Sequence, residues 1–387
     1  MQSQSDELLE AHRILDFQCR HRDGRLFISD WYCDHPYVNE VMKADPTGPP
    51  PENSIIAYYF QNDDSTLHNQ IVKFHASHGE LDYAAERVFV SAGLSSLITA
   101  QMMLLARRGI RKLYYMRPLY YTYYFLAQTI GIELIAVNDT PASQSWVSLK
   151  LPTSRGEWLI FCDPVWFLGK SVNAKFITDI RQWQQATGGM VLVDGAFQYQ
   201  RWIENDRPEE TSRLLPSQTF RNLCPTKAVA VHGPRFAYCL VPMEFYEELR
   251  YCYANTAGSG SIFDHDAALK IMAYLNARNS NTRLVELMSA RYQLLRSESF
   301  IEDPVGAEAS YFCFVRTPAP QQKLIAMDQR FFDIDCFPDL IRINLLLPLH
   351  TLLPFIRMAA EALGVRVSTE GLIAAGIQPY PDESKAL

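Results

Sequence analysis

LCPTKAVAVHGPRFAY, residues 223–238, decides how the rest of the chain is read. Lys227 follows a small hydroxyl residue, Thr226. A short apolar run comes next, then Gly233 and Arg235, the arginine eight residues past the lysine. Two readings fit. A lysine in such a place is ordinarily a solvated cation. The alternative is an amine that forms a Schiff base with a carbonyl cofactor, while Arg235 holds the cofactor's phosphate by a forked, charge-assisted contact. Short motifs arise by chance, so the choice turns on whether the other contacts of such a cofactor occur elsewhere, in order.

Working outward, residues 87–241 alternate between short apolar β runs and helical spacing. Strands are expected at Val88–Val90, Lys112–Met116, Ile132–Val137, Trp158–Cys162, Met190–Val193, Ala228–Val231 and Phe236–Val241. Helices are expected at Leu94–Arg107, Tyr121–Ile130 and Phe176–Thr187. That alternation predicts a mostly parallel sheet covered by helices. Upstream, a polar helix over Glu7–Cys19, a strand over Arg25–Tyr32, a proline-rich boundary over Asp45–Ser54 and a helix over Ser65–His75 are expected. After residue 260 the pattern becomes α+β. Helices fit Asp266–Leu275, Thr282–Ser297 and Leu353–Leu363, and strands fit Ser310–Arg316, Phe331–Cys336 and Leu340–Leu346. The expected division is a large domain over 55–275 and a small one built from 1–54 and 276–387.

Four further stretches carry chemistry. SAGLSS (Ser91–Ser96) joins a strand to a helix, and the amides of Leu94, Ser95 and Ser96 open that helix; it is either a plain cap or a phosphate site. In MVLVDGAF (Met190–Phe197), Asp194 stands at the tip of a buried strand, where open α/β sheets place ligand contacts. It is a turn aspartate or the partner of a pyridinium nitrogen. RPLYYTYYF (Arg117–Phe125) offers Tyr120 to stack on a flat heteroaromatic, or packs as an aromatic helix face. DLIRINLLLP places Arg342 inside an apolar strand, as a structural ion pair or a fork for a substrate carboxylate.

Bulk properties narrow the alternatives. The 387 residues are 48% hydrophobic and 20% charged with net charge −7, which suits a large globular core and disfavours nucleic acid and anionic membrane as partners. Apolar stretches are too short to span a bilayer. Met1–Leu15 has no apolar signal-peptide core, and the eight cysteines lie singly with no CxxC pair. Reduced thiols in a cytoplasmic compartment are therefore expected. The nine histidines show no metal-ligand spacing, so no metal is expected.

Taken together, SAGLSS, RPLYY, CDPVWFLGKS, VDGAF, PTKAVAVHGPRFAY and LIRIN resemble, in order, the fold-type-I pyridoxal-phosphate enzymes, most closely the class I/II aminotransferases. The resemblance covers roughly residues 55–365. It implies a mostly parallel seven-stranded sheet flanked by helices, a small α+β domain, an amino-acid substrate and pyridoxal 5′-phosphate as cofactor. Lys227 would form the internal aldimine and shuttle the Cα proton, and Asp194 would hold the pyridine nitrogen. Tyr120 would stack on the ring. Leu94, Ser95, Thr226 and Arg235 would hold the phosphate, and Arg342 the substrate α-carboxylate. Tyr59, or its neighbour Tyr58, matches the position that reaches the partner subunit's phosphate in a homodimer.

Two departures stand out. Trp166 occupies the family's asparagine position and Phe197 its tyrosine position, so both usual donors to the cofactor's phenolic oxygen are missing. The expectation is an internal aldimine of raised apparent pKa, with Tyr199 a candidate substitute donor. The same departures fit a lyase, cyclase, decarboxylase or oxidase of specialised metabolism on the same fold. A scaffold converted to binding is the non-catalytic rival.

Overall fold

A computed structural model describes residues 4–44, 61–63, 65–80, 84–138, 149–203, 206–258, 260–277 and 281–377. Tyr58, Tyr59 and the proline-rich boundary lie outside the described residues. Seven strands form the central sheet: β1 (Val88–Ser91), β2 (Lys112–Tyr115), β3 (Glu133–Ala136), β4 (Trp158–Cys162), β5 (Met190–Gly195), β6 (Thr219–Leu223) and β7 (Ala237–Leu240). Their order is β1-β7-β6-β5-β4-β2-β3. β7 runs antiparallel to both its neighbours, β1 and β6; all other neighbouring pairs are parallel. Every residue of β1, β4, β5, β6 and β7 is buried. Strands covered on both faces have no solvent side to mark with polar alternation, which explains the apolar runs.

The helices used below are α1 (Gln4–Arg20), α2 (Ser65–Ser77), α3 (Leu94–Arg107), α4 (Tyr121–Ile130), α5 (Ala174–Thr187) and the single turn α6 (Pro225–Ala228). Local chemistry sets their ends. Asn173 caps α5 by accepting from the Phe176 amide at 2.8 Å, and Gly188, at φ +68°, ends it in the left-handed region. In the C-terminal part, β8 (Phe312–Val315), β9 (Met327–Asp328) and β10 (Ile341–Asn344) form an antiparallel sheet in the order β9-β10-β8.

Three expected strands differ from what forms. Ala228–Val231 is no strand: it ends α6 and turns, with Ala230 at φ +50°. The place in the sheet is taken by β6, whose Arg221 and Asn222 had hidden it. Both are buried and both are bonded. Arg221 pairs with Glu80 at 2.5 Å, and Asn222 exchanges amide hydrogen bonds with Gln101 at 2.7 and 2.8 Å. Phe331–Cys336 is also not extended, because Asp333 turns at φ +53° and accepts hydrogen bonds from Tyr115 and Tyr124, each at 2.8 Å. Within Arg25–Tyr32 only Leu26–Phe27 pairs, parallel to Leu324–Ile325. The residues after it lie against β10 instead. A short helix over Thr369–Ala374, capped by Ser368, also forms where the sequence showed little pattern.

Candidate functional site

The parallel strands aim their carboxyl ends at one side of the sheet, and a cavity of about 340 Å³ opens there. Leu94, Ser95, Tyr120, Asp194, Thr226, Lys227 and Arg235, far apart in sequence, all line it.

Each side chain arrives for a local reason. Asp194 stands at the end of β5, is 4% exposed, and its carboxylate accepts the Ala196 amide at 3.2 Å. Burial pushes its carboxyl up, to about 6. Gly93, at φ +89°, is the N-cap of α3. A Cβ there would lie 2.8 Å from an Arg235 guanidinium nitrogen, so only glycine lets that cation rest on the start of the helix. Free amides, the helix dipole and the guanidinium then converge on one anion-sized place.

Lys227 sits on α6, with its amide bonded to the Cys224 carbonyl at 2.8 Å. Its own carbonyl accepts from Ala230 at 2.9 Å and from the Gln200 side chain. The turn therefore fixes the root of the side chain and leaves the amine free in the cavity. Burial pushes the Lys227 amine below its ordinary range, and the cations Arg235 and Arg342 add to the effect.

Arg342 does not line the cavity; it stands behind its wall. It is fully buried, and one guanidinium nitrogen donates to the Ser29 carbonyl. Its Nε and Nη1 have no partner among the described residues. Three rings surround it instead, Phe312 at 4.1 Å, Trp31 at 4.2 Å and Trp166 at 5.1 Å. Burial lowers it to about 9, so it stays a cation at neutral pH. A buried, unpaired cation with two idle donors is complementary to a carboxylate.

Trp166 and Phe197 both line the cavity and stack with centroids 6.0 Å apart. Tyr199 does not replace their missing polar contacts. It turns away at φ +63°, and its hydroxyl accepts from Arg221 at 2.8 Å and lies 3.1 Å from both Glu80 and His75. Trp31, Tyr121 and His232 also line the cavity. Sequence reasoning named none of them as contacts: Trp31 reaches the site from the N-terminal segment, which no local pattern announces. Asp30, its neighbour, faces Arg22 at 3.6 Å.

Among the described residues no cluster of three or more metal-ligating side chains occurs, and no helix is long and apolar enough to cross a membrane. The sequence pattern of a family described as aminotransferase class I and II matches residues 33–346. No curated protein matches the sequence. Among solved structures, N-succinyldiaminopimelate aminotransferase from Mycobacterium tuberculosis is similar, with a TM-score of 0.71 at 17% identity over 90% of this chain and 97% of that one. A protein from Escherichia coli with a methionine aminotransferase function gives 0.69 at 17% identity over 93% and 99%. Aspartate aminotransferase from Thermotoga maritima gives 0.66 at 11% identity over 92% and 97%. At these identities the likeness is one of fold.

Proposed function

The chain belongs to the aminotransferase class I and II family and is an aminotransferase; we propose that Lys227 is its reacting amine, that an α-amino acid is its substrate, and that it works as a homodimer in the cytoplasm. The family is pyridoxal-phosphate-dependent, and the residues present fit that group. The glycine cradle under Arg235 accepts a phosphate, the buried acid Asp194 suits a cationic ring nitrogen, and the amine of Lys227 suits an aldehyde. The convergence of these three on one cavity carries the reading.

When bound, the cofactor supplies an electron sink for the pair left at the substrate's α-carbon. The chain does the rest. Lys227, whose amine burial holds below its ordinary range, would be the group that bonds the cofactor's aldehyde and that moves the proton of the substrate Cα. Asp194 would hold a proton on the ring nitrogen. The amides of Leu94 and Ser95, the Thr226 hydroxyl and Arg235 would hold the phosphate, and Tyr120 would lie against the ring. Arg342 would take the α-carboxylate with its idle donors once that group passes the Trp31 and Trp166 rings that cover it, and Trp166 and Phe197 exclude water. Tyr59 is assigned to the phosphate of the partner subunit. The homodimer and the division into a large unit over 55–275 and a smaller one are part of the same proposal. Eight free cysteines support a reducing compartment.

Borohydride treatment of the reconstituted protein followed by peptide mass spectrometry tests the assignment. Cofactor fixed on Lys227, and its loss in K227A with at least about 10³-fold lower turnover, are expected. Label on another lysine refutes it.

A further inference from the structure

Trp31 is held in place by the chain that flanks it. Ser29 donates to the Arg342 carbonyl and accepts from the Arg342 side chain. Asn344, two residues along the same strand, donates to the carbonyls of Asp30 and Tyr32, each at 2.9 Å. The Asn344 amide bonds the Ile28 carbonyl at 3.0 Å. The segment is thereby laid along β10 with Trp31 pinned from both sides.

Its ring faces both cations that the substrate must reach. The centroid is 4.2 Å from the Arg342 guanidinium and 5.2 Å from the Lys227 amine. It lies 5.4 Å from the Trp166 ring and 5.3 Å from Phe312. Trp31 lines the cavity and Arg342 stands behind it, so a substrate whose α-carbon is at Lys227 lies against the indole, and its carboxylate comes to Arg342 only past that ring. Its side chain then meets the other described walls, among them Tyr121, Trp166 and Phe197. Of the charged lining groups, Asp194 and Arg235 are already engaged by the ring nitrogen and the phosphate. His232 is kept uncharged by burial and by the neighbouring Lys227. The described lining therefore holds no spare cation for a second carboxylate and no spare carboxylate for a cationic side chain, and an unmatched buried charge is strongly disfavoured.

We infer that Trp31 is a specificity-determining residue, and that the substrate is an α-amino acid with a single carboxylate and an aromatic or bulky apolar side chain seated against Trp31 and Trp166. This rests on the roles proposed above for Lys227 and Arg342. Aromatic pairs prefer offset or edge-on contacts at these separations, so a ring adds directional attraction to its apolar burial.

The test uses the cofactor-loaded enzyme and the amino-acid-dependent change in its visible absorbance, with phenylalanine, tryptophan, leucine, alanine, aspartate, glutamate, lysine and arginine as probes. Phenylalanine, tryptophan or leucine should give the highest kcat/KM, about 100-fold or more above aspartate and lysine. In W31A, phenylalanine should lose about 10- to 100-fold, mostly in KM, and about tenfold more than alanine does. W31F should recover most of the loss. Aspartate, glutamate, lysine or arginine as best substrate overturns the inference and leaves the aminotransferase reading standing. An equal loss for every amino acid in W31A reduces Trp31 to a structural role and also overturns it. If no amino acid changes the absorbance of the wild-type enzyme, the roles of Lys227 and Arg342 fall, and the inference falls with them.

Discussion

Asp194 bears an unfavourable charge until a cation meets it. Its carboxyl is raised from the ordinary aspartate value to about 6 by burial. A raised folded-state value means that the group favours folding most below the unfolded pKa and loses that contribution as pH climbs through about 6. Cofactor-free protein should therefore lose roughly 1 kcal/mol of stability from this group between pH 5 and 7, a loss absent in D194N. Urea unfolding of both proteins at the two pH values reads the difference. A pyridinium partner should remove the dependence in the loaded wild type. Gly93 is the second sensitive residue. G93A forces a Cβ to 2.8 Å from Arg235 and a side chain into φ +89°. The expected result is at least about tenfold weaker cofactor binding, from roughly 1–2 kcal/mol of backbone strain together with the displaced guanidinium. Titration of the apoprotein with pyridoxal phosphate measures it. At this scale the sequence was informative. Lys227, Asp194, Thr226, Arg235, Leu94, Ser95 and Tyr120 stand out in the sequence by residue type and spacing, and the fold brings all seven to one cavity. Trp31 was not legible, since its place comes from a contact with a strand more than 300 residues away.

Strand β6 shows where pattern reading of elements fails. TFRNL looks like a loop because it is half polar, yet every residue in it is buried. The polarity is satisfied by a network under the sheet. Arg221 donates to Glu80, to the Tyr199 hydroxyl and to Gln198, and His75 bridges Glu80 at 2.9 Å and Tyr238 at 2.9 Å. Burial alone would raise the Glu80 carboxyl, but Arg221 and His75 outweigh it and hold Glu80 far below the usual carboxylate range. Removing one member of such a pair strands the other charge in a dry interior. E80Q should cost about 3 kcal/mol or more in denaturant unfolding. Because Glu80 bonds the Glu209 amide and Tyr199, the loop after β5 should also loosen, which hydrogen exchange over 196–202 would detect. The apolar strands, by contrast, were readable from composition alone, and so were α3 and α4 from their spacing. What the pattern could not show was polar residues buried in pairs, or a one-turn helix such as α6, too short for any periodicity.

For the molecule as a whole, the site is assembled from the carboxyl end of the central strand β5, the start of α3, the turn α6 and the N-terminal segment. A ligand that touches all four links them. Saturating cofactor at about 100 times its dissociation constant should stabilise the fold by about 2.7 kcal/mol, seen as a rise in the thermal midpoint that K227A reduces. Sedimentation of the loaded protein should show the proposed homodimer.

The pairing of Ser29 with Arg342 also bears on how the protein is made. Helix α1 has a surface to pack on as soon as α4 exists, since His12 stacks on Tyr121 at 4.3 Å, but Ser29 and its neighbours have none until β10 is made, 313 positions downstream. The sheet can form while translation continues, but the wall that carries Trp31 closes only near the end. A prematurely terminated chain lacking β10 would still contain Lys227, Asp194 and Arg235, yet it would have neither the carboxylate fork nor the indole in place. On the roles proposed for Arg342 and Trp31, a truncated product of that kind is expected to bind cofactor without turnover even if its sheet folds.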